Sequence, residues 1–293
     1  MFFREPWDFN ICMHLFSPGP PLLSEQTIDL RLLDAAHQLI ISAMPTPSPE
    51  DRIRMRERPT GRPVMKQSWQ ELLFLHWDFP VEQIQATLPP GLYVDTYDGK
   101  AWLGVVPFWM RNIRPWWFPP VPGVSNFLEL NLRTYVHDDR GTCGVWFYSL
   151  DANQSLAVWT ARRFFHLNYQ HARMESTRDA ATGWTDFSSY RAGAATDLVS
   201  QFRYRPASVP HLAAPGSFDF FLVERYVLFA QSSSGQFRTG TVIHDQYQIS
   251  EVELPQWSDS LFPLNGFARP ARPPVHAAMC RGVEVDIYPL RLH

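Results

Sequence analysis

Alternating apolar and polar positions between Trp69 and the end of the chain predict a series of short β-strands. The most informative is the strand 129–136, because side chains on a strand point alternately to its two faces. One face is apolar, whereas the other carries an acid, an amide, a guanidinium and a phenol: Glu129, Asn131, Arg133 and Tyr135. The near-continuous apolar run 101–108 instead predicts a strand buried on both faces.

The remaining periodic segments complete a mainly β pattern. A helix is predicted over Ser155–Phe165, directly after the strand that ends in Leu150-Asp151, and a shorter helix is predicted over 81–88. Further strands are predicted at 92–97, 145–150, 187–191, 197–204, 224–231, 236–244 and 283–288. Many short strands with few helices indicate an antiparallel β-barrel or sandwich with one main helix.

The first 66 residues differ from the rest of the chain. The spacing of apolar residues over Leu22–Ser42 predicts a helix, and a proline-rich stretch with the charge run 50–58 follows it. We therefore expect residues 1–66 to be an extension or linker, partly helical or disordered, with its charge run in solvent. Residues 67–293 are expected to form one β domain.

A second proline-rich segment, residues 111–126, also contains two tryptophans and a phenylalanine. Its four prolines argue against a regular helix or a central strand. Two interpretations stay open: a stiff loop whose rings pack on the barrel, or a rim or lid over a ligand pocket.

The composition excludes several classes of function. The 293 residues carry a net charge of −3, which argues against a nucleic-acid partner. Three well-separated cysteines form no disulfide pattern, and the apolar runs are too short to cross a membrane. We therefore expect a cytoplasmic protein with neither a nucleic-acid nor a membrane partner. Phosphate-loop, dinucleotide and metal-ligand motifs are absent, so no cofactor and no metal are predicted.

Residues from about 69 to 293 resemble the YqjF-like family of uncharacterised bacterial proteins, a domain-of-unknown-function group. The resemblance is carried by 73–77 (LFLHW), 88–92 (LPPGL), 98–108 (DGKAWLGVVPF), 129–136 (ELNLRTYV), 144–151 (GVWFYSLD), 161–163 (ARR), 171–174 (HARM) and 281–285 (RGVEV). That family in turn resembles a distant branch of the acetoacetate decarboxylase superfamily. The resemblance implies a β-barrel-like fold around a central cavity.

The known chemistry of the decarboxylases does not carry over with the fold. In those enzymes a lysine just after the main helix forms a Schiff base, but the corresponding stretch here, 164–171, contains no lysine. Tyr169 stands at about that position. The two lysines of the chain, Lys66 and Lys100, lie in a predicted linker and a predicted turn, so neither is a good substitute. We therefore expect this protein to share the fold of the decarboxylases but not their Schiff-base chemistry.

The candidate site combines the polar face of strand 129–136 with the segment after the helix. Glu129 and Arg133 lie about 13 Å apart along an extended strand and could hold opposite ends of a small polar ligand. Glu129 would be the acid or base and Arg133 the anion anchor, while His166 and Tyr169 are candidate proton donors. The other candidate ligand-binding residues are Asn131, Tyr135, His171, Arg173 and Trp102. The alternative for each residue is structural: ion pairing for the charged groups and a place in the core or wall for the rings.

Three kinds of function are compatible with these residues, and the sequence leaves open whether the protein is an enzyme. The first is an enzyme acting on a small carboxylate or carbonyl metabolite without a Schiff base. The second is a non-catalytic ligand-binding or sensor barrel, and the third is a structural or protein-interaction role. Polar side chains clustered in an enclosed cavity would favour the first two. Perturbed titration of Glu129 or His166 would favour catalysis.

Overall fold

The computed structural model of the chain describes residues 46–292, apart from Ser233 and the side chain of Phe164. The helix predicted at 22–42 lies outside the described residues. No helix within the described part is long and apolar enough to cross a membrane.

Strands make up most of the regular structure. In chain order they are β1 (Met65–Phe79), β2 (Tyr93–Val94), β3 (Ala101–Pro115), β4 (Phe127–His137), β5 (Cys143–Ala152), β6 (Tyr169–Arg178), β7 (Thr185–Arg191), β8 (Val199–Pro206), β9 (His211–Leu212), β10 (Val227–Gln231), β11 (Phe237–His244), β12 (Gln248–Ser258), β13 (His276–Ile287) and β14 (Arg291–Leu292). The helices are α1 (Pro49–Arg54), α2 (Val81–Gln85), α3 (Ser155–Thr160), α4 (Phe218–Val223) and α5 (Leu261–Leu264), and α3 continues into a π-helical turn over Ala161–Phe165.

The strand pairings form two closed rings that share one wall. The first ring runs β1-β3-β4-β5-β10-β11-β13 and returns to β1. The second runs β1-β3-β4-β5-β6-β7-β8-β12-β13 and also returns to β1. The predicted mainly β barrel with one principal helix after Leu150-Asp151 is thus confirmed.

Two parallel pairings depart from the purely antiparallel expectation. β6 returns parallel to β5 because α3 and the π-helical turn cross over between them. β10 also pairs in parallel with β5, at the point where Gly144 approaches the carbonyl oxygen of Val227 too closely to leave room for a Cβ atom. The two rings therefore separate at β5, where β10 continues the first ring and β6 continues the second.

Two of the strands shared by the rings, β4 and the first part of β3, are buried on both faces. All eleven residues of β4 are buried, and the predicted two-sided burial of 101–108 in β3 is confirmed. The apolar residues Leu128, Leu130 and Leu132 of β4 pack inside the second ring, in one cluster with Phe187 and Phe202. Glu129, Asn131 and Arg133 of β4 therefore face the first ring.

Several predicted boundaries were wrong because tertiary pairing overrode local composition. The strand predicted at 92–97 is limited to Tyr93–Val94. Residues 111–115, predicted as part of a loop, belong to β3 because they stay paired with β1, so the proline-rich loop begins only after Pro115. The strand predicted at 224–231 starts at Val227, after the unpredicted helix α4. Strands β6 and β12 were not predicted, since polar residues dominate their exposed faces.

The segment before β1 contacts the β domain. A capping box formed by Ser48 and Asp51 starts α1, and this helix buries Arg52 in an ion pair with the fully buried Asp95. The expectation that the charge run 50–58 is solvated is therefore wrong at Arg52, although Glu50 and Arg54 are exposed. The division of the chain near residue 66 stays a prediction.

Candidate functional site

The first ring encloses a cavity of about 270 Å³. Most of its wall is apolar and comes from the strands of that ring, for example Leu72, Phe74, Phe108 and Val242. Its outer end is bordered by α3 and by the loop after β3. A mainly apolar cavity of this size can hold a small molecule.

A strip of polar side chains on β4 forms one wall of the cavity. Glu129, Asn131 and Arg133 are all buried and all line it. They reach the same side because they alternate with the leucines that fill the second ring. Tyr169, the first residue of β6, lies beside the acid end of the strip.

Glu129 is held by neutral hydrogen-bond donors. The phenol of Tyr169 donates to Glu129 Oε2 at 2.6 Å, and Asn131 Nδ2 donates to Oε1 at 3.2 Å. Burial outweighs these two bonds and raises the pKa of Glu129 from 4.5 to about 7. Burial and the neighbouring acid also raise the pKa of Tyr169 well above its usual value. At neutral pH the acid can therefore exist in both protonation states.

Arg133 is a buried cation without a carboxylate partner among residues 46–292. Its Nη2 donates to the carbonyl oxygen of Leu222 at 3.2 Å and to the Tyr135 hydroxyl oxygen at 3.4 Å, and its Nε has no hydrogen-bond partner. Its guanidinium lies 5.6 Å from the centre of the Phe74 ring. An uncompensated buried charge is costly, so an anion in the cavity would be stabilised here.

A series of hydrogen bonds connects Arg133, through the Tyr135 hydroxyl, to residues of other strands. The Tyr135 hydroxyl donates to Leu222 at 2.8 Å and lies 2.6 Å from His76 Nε2. His76 Nδ1 lies 2.8 Å from His276 Nδ1, and His276 Nε2 lies 3.2 Å from Asp219. Burial, together with the charge of neighbouring residues, holds the pKa of His76 well below its usual value. These contacts fix the orientation of Tyr135.

The contact between His76 and Tyr135 depends on a glycine in the neighbouring strand β3. A Cβ atom on Gly104 would lie 3.1 Å from both the His76 ring and the Tyr135 hydroxyl. Because Gly104 has no side chain, the His76 ring and the Tyr135 hydroxyl can contact each other beside β3.

A second arginine at the cavity differs from Arg133 in having a carboxylate partner. Arg225 lines the cavity, but its Nη1 donates to Asp95 at 2.7 Å, and Arg52 pairs with the other oxygen of that carboxylate. Sequence reasoning did not place Arg225 at the site. Its partner Asp95 lies 130 positions away along the chain, and no local pattern links the two.

The structure brings together four of the predicted site residues and separates the others. Glu129, Asn131, Arg133 and Tyr169 line the cavity. Tyr135 and Trp102 are buried behind the wall, where the Trp102 indole contacts Phe218. They therefore support the wall and do not face a ligand.

His166, His171 and Arg173 do not line the cavity. His166 is half-buried, in a left-handed conformation with φ 53° at the end of the π-helical turn. β6 belongs to the second ring, so only its first residue borders the cavity. Farther along the same face of β6, His171 and Arg173 are exposed.

The loop after β3 contributes to the rim of the cavity. Val124 of this loop and Ile113, near the end of β3, line the cavity. The rings of Trp116, Trp117 and Phe118 are exposed, and the Arg62 guanidinium lies 4.5 Å from the centre of the Trp116 ring. Of the two interpretations of this segment, the arrangement supports the pocket rim.

Neither lysine is at the cavity. Lys66 pairs with Asp286 at 3.0 Å and Lys100 pairs with Asp78 at 2.9 Å, and both ammonium groups are well exposed. The cavity wall also contains none of the described cysteines, Cys143 and Cys280, which are buried and free. The wall thus lacks the amine on which the decarboxylases rely.

Solved structures with the same fold are acetoacetate decarboxylase-like proteins. The enduracididine biosynthesis enzyme MppR complexed with pyruvate matches with a TM-score of 0.55 and 13% identity, over 80% of this chain and 93% of that chain. An acetoacetate decarboxylase-like enzyme from Sphingomonas wittichii RW1 matches with a TM-score of 0.54 and 12% identity, over 80% and 94% of the two chains. Acetoacetate decarboxylase from Legionella pneumophila matches with a TM-score of 0.53 and 10% identity, over 84% and 95%. The two-ring architecture is therefore the acetoacetate decarboxylase-like fold.

The family follows from the sequence itself. Residues 66–284 match the DUF2071 family, described as an uncharacterized conserved protein. The uncharacterized protein YqjF of Bacillus subtilis (strain 168) is 35% identical over 236 residues, which are 80% of this chain and 94% of that protein. The chain belongs to the DUF2071 family, and the predicted YqjF-like resemblance is confirmed.

Proposed function

We propose that this protein is an enzyme that acts on a small carboxylate or carbonyl compound held in the first-ring cavity, without forming a Schiff base. The observation that carries the proposal is the unpaired Arg133 cation on the same cavity wall as the protonatable Glu129. A buried cation in an apolar wall favours an anion, and a fork of N–H donors suits a carboxylate.

Glu129 supplies the proton chemistry in this proposal. Both of its oxygens accept hydrogen bonds from protein donors, so the proton of the neutral acid is not used in those bonds. A pKa of about 7 lets the group give and take a proton at neutral pH. Tyr169 and Asn131 position it. The reaction class that follows is proton transfer at the carbon next to a carbonyl, or at the carbonyl oxygen.

A second candidate function is non-catalytic binding of the same class of ligand. It is favoured by the cavity wall of the described chain, which holds no lysine, cysteine, serine or histidine side chain. A barrel of this kind would bind and release its ligand unchanged.

The binding part of the proposal is tested by replacing the cation with an apolar side chain of similar length. Titration calorimetry would compare wild type, Arg133→Met and the control Arg173→Met, using hexanoate and 2-oxohexanoate as probes. We expect about 10- to 100-fold weaker binding for Arg133→Met, the range for loss of hydrogen bonds to a charged group, and no change for the exposed Arg173. Equal affinities in all three proteins would contradict the proposal.

The catalytic part is tested by exchange of hydrogen for deuterium. In D2O, proton NMR would follow loss of the hydrogens on C3 of 2-oxohexanoate. We expect wild type to accelerate exchange and Glu129→Gln to abolish the acceleration while still binding the probe. Binding without any acceleration by wild type would instead support the second candidate.

A further inference from the structure

The wall facing the polar strip is apolar. In the first ring β4 is flanked by β3 and β5, so β11 and β13 stand across the cavity from it. Val242 of β11 and Ile287 of β13 line the cavity there. A ligand whose head reaches Arg133 must therefore place its other end against hydrocarbon.

The size of the cavity exceeds that of a compact keto acid. A dry cavity of about 150 Å³ holds a benzene molecule of six carbons. By that measure the 270 Å³ here accommodate a ligand of about ten to twelve non-hydrogen atoms. Pyruvate, with half as many, would leave the apolar part of the wall without contacts, and unfilled apolar space loses dispersion energy.

The route from solvent is also apolar. Leu156 of α3 and Val124 of the loop both line the cavity and are 51% and 37% exposed. The Gln154 side chain donates to the carbonyl oxygen of Gly123 at 2.7 Å, which ties the start of α3 to that loop. The mouth therefore presents hydrocarbon to the part of a ligand that passes through it.

From these three features we infer that the ligand is a monocarboxylate with an apolar body of about six to ten carbons, bound with its carboxylate at Arg133 and its body toward Val242 and Ile287. This inference rests on the proposed carboxylate site and adds the class of molecule that fills it.

The test is a chain-length series measured by titration calorimetry at pH 6 with acetate, butyrate, hexanoate, octanoate and decanoate. Each buried methylene contributes about 0.8 kcal/mol, so affinity should rise about fourfold per methylene until the cavity is full and then stop rising. Equal affinities across the series would overturn the inference.

A pair of neighbouring substitutions on β11 controls for indirect effects. Val242→Met adds volume inside the cavity, whereas Ile243→Met changes the adjacent side chain, which packs in another cluster with Tyr226 and Tyr288. We expect Val242→Met to weaken octanoate and decanoate at least fivefold while leaving butyrate unchanged. Ile243→Met should reproduce the wild-type series. An unchanged series in Val242→Met would place the apolar body elsewhere and contradict the inference.

The two proposals fail in distinguishable ways. If Arg133→Met weakens every acid equally but affinity does not depend on chain length, the carboxylate site stands and the apolar-body inference falls. If affinity rises with chain length but Arg133→Met has no effect, the carboxylate site falls.

Discussion

The two faces of β4 border interiors of opposite character. On one face, Leu130 and Leu132 are fully buried in the apolar cluster of the second ring. On the other, Glu129 and Arg133 line a cavity in the first ring. The comparison shows that a single strand can pack a core with one face and line a cavity with the other when both faces are enclosed.

The buried charges that β4 presents to the cavity differ in their partners from those of the second ring. In the second ring Asp151 is bound by Arg191 with Nη2 to Oδ1 at 2.7 Å, and Glu71 is paired with both Arg178 and Arg281. In the first ring Glu129 is bonded to neutral groups and Arg133 to none of the described carboxylates. Glu129 and Arg133 therefore have no ionic partner among the described residues, whereas Arg225 at the same cavity is paired with Asp95.

The largest expected effect compares one leucine from each interior. Leu132→Ala in the second ring should lower the free energy of unfolding by about 3–5 kcal/mol, because neighbouring side chains cannot close the new void. Leu150→Ala, which enlarges the existing cavity, should cost about 2–3 kcal/mol. Urea unfolding measures both. An equal or greater cost for Leu150→Ala would show that the first ring is as tightly packed as the second.

A smaller effect is expected from the pH dependence of Glu129. Below pH 4.5 the acid is protonated in both the folded and the unfolded chain and contributes nothing to the pH dependence. Between pH 4.5 and about 7 the unfolded chain ionises while the folded protein keeps the proton, so stability falls as pH rises, by up to about 3 kcal/mol.

Glu129→Gln should remove that fall. The stability of the variant relative to wild type should increase across this window and stay constant above it, as measured by urea unfolding from pH 4 to 8. The control Glu253→Gln alters an exposed ion pair with Arg205 and should show no such trend. A parallel profile for Glu129→Gln and wild type would mean that the acid ionises normally.

The smallest effect compares adjacent valines on β3. Val105 is packed in the second ring, whereas Val106 lines the cavity. Val105→Ile should destabilise the protein by about 1–2 kcal/mol through overpacking, and Val106→Ile should stabilise it by about 0.5–1 kcal/mol by filling space. Thermal unfolding measures the two shifts. Shifts of the same sign would contradict the difference in packing between the two faces.

Local pattern predicted the parts of the site that lie on one strand. The alternation in β4 placed Glu129, Asn131 and Arg133 on one face, and the apolar run in β3 predicted its two-sided burial. His171 and Arg173 could not be judged in this way, because their exposure depends on where β6 leaves the first ring. The ion pair of Arg225 with Asp95 likewise joins residues that no periodicity connects.

The sequence by itself determined the mainly β fold, the family and the polar face of β4, because period-two alternation and motif order are properties of neighbouring residues. Only the tertiary structure decided which polar residues share a cavity, that Tyr169 holds Glu129 across 40 positions of chain, and that Arg133 has no carboxylate partner among the described residues. Those outcomes follow from the closure of the two rings at β5, which brings distant segments into contact and sets which charges are neutralised.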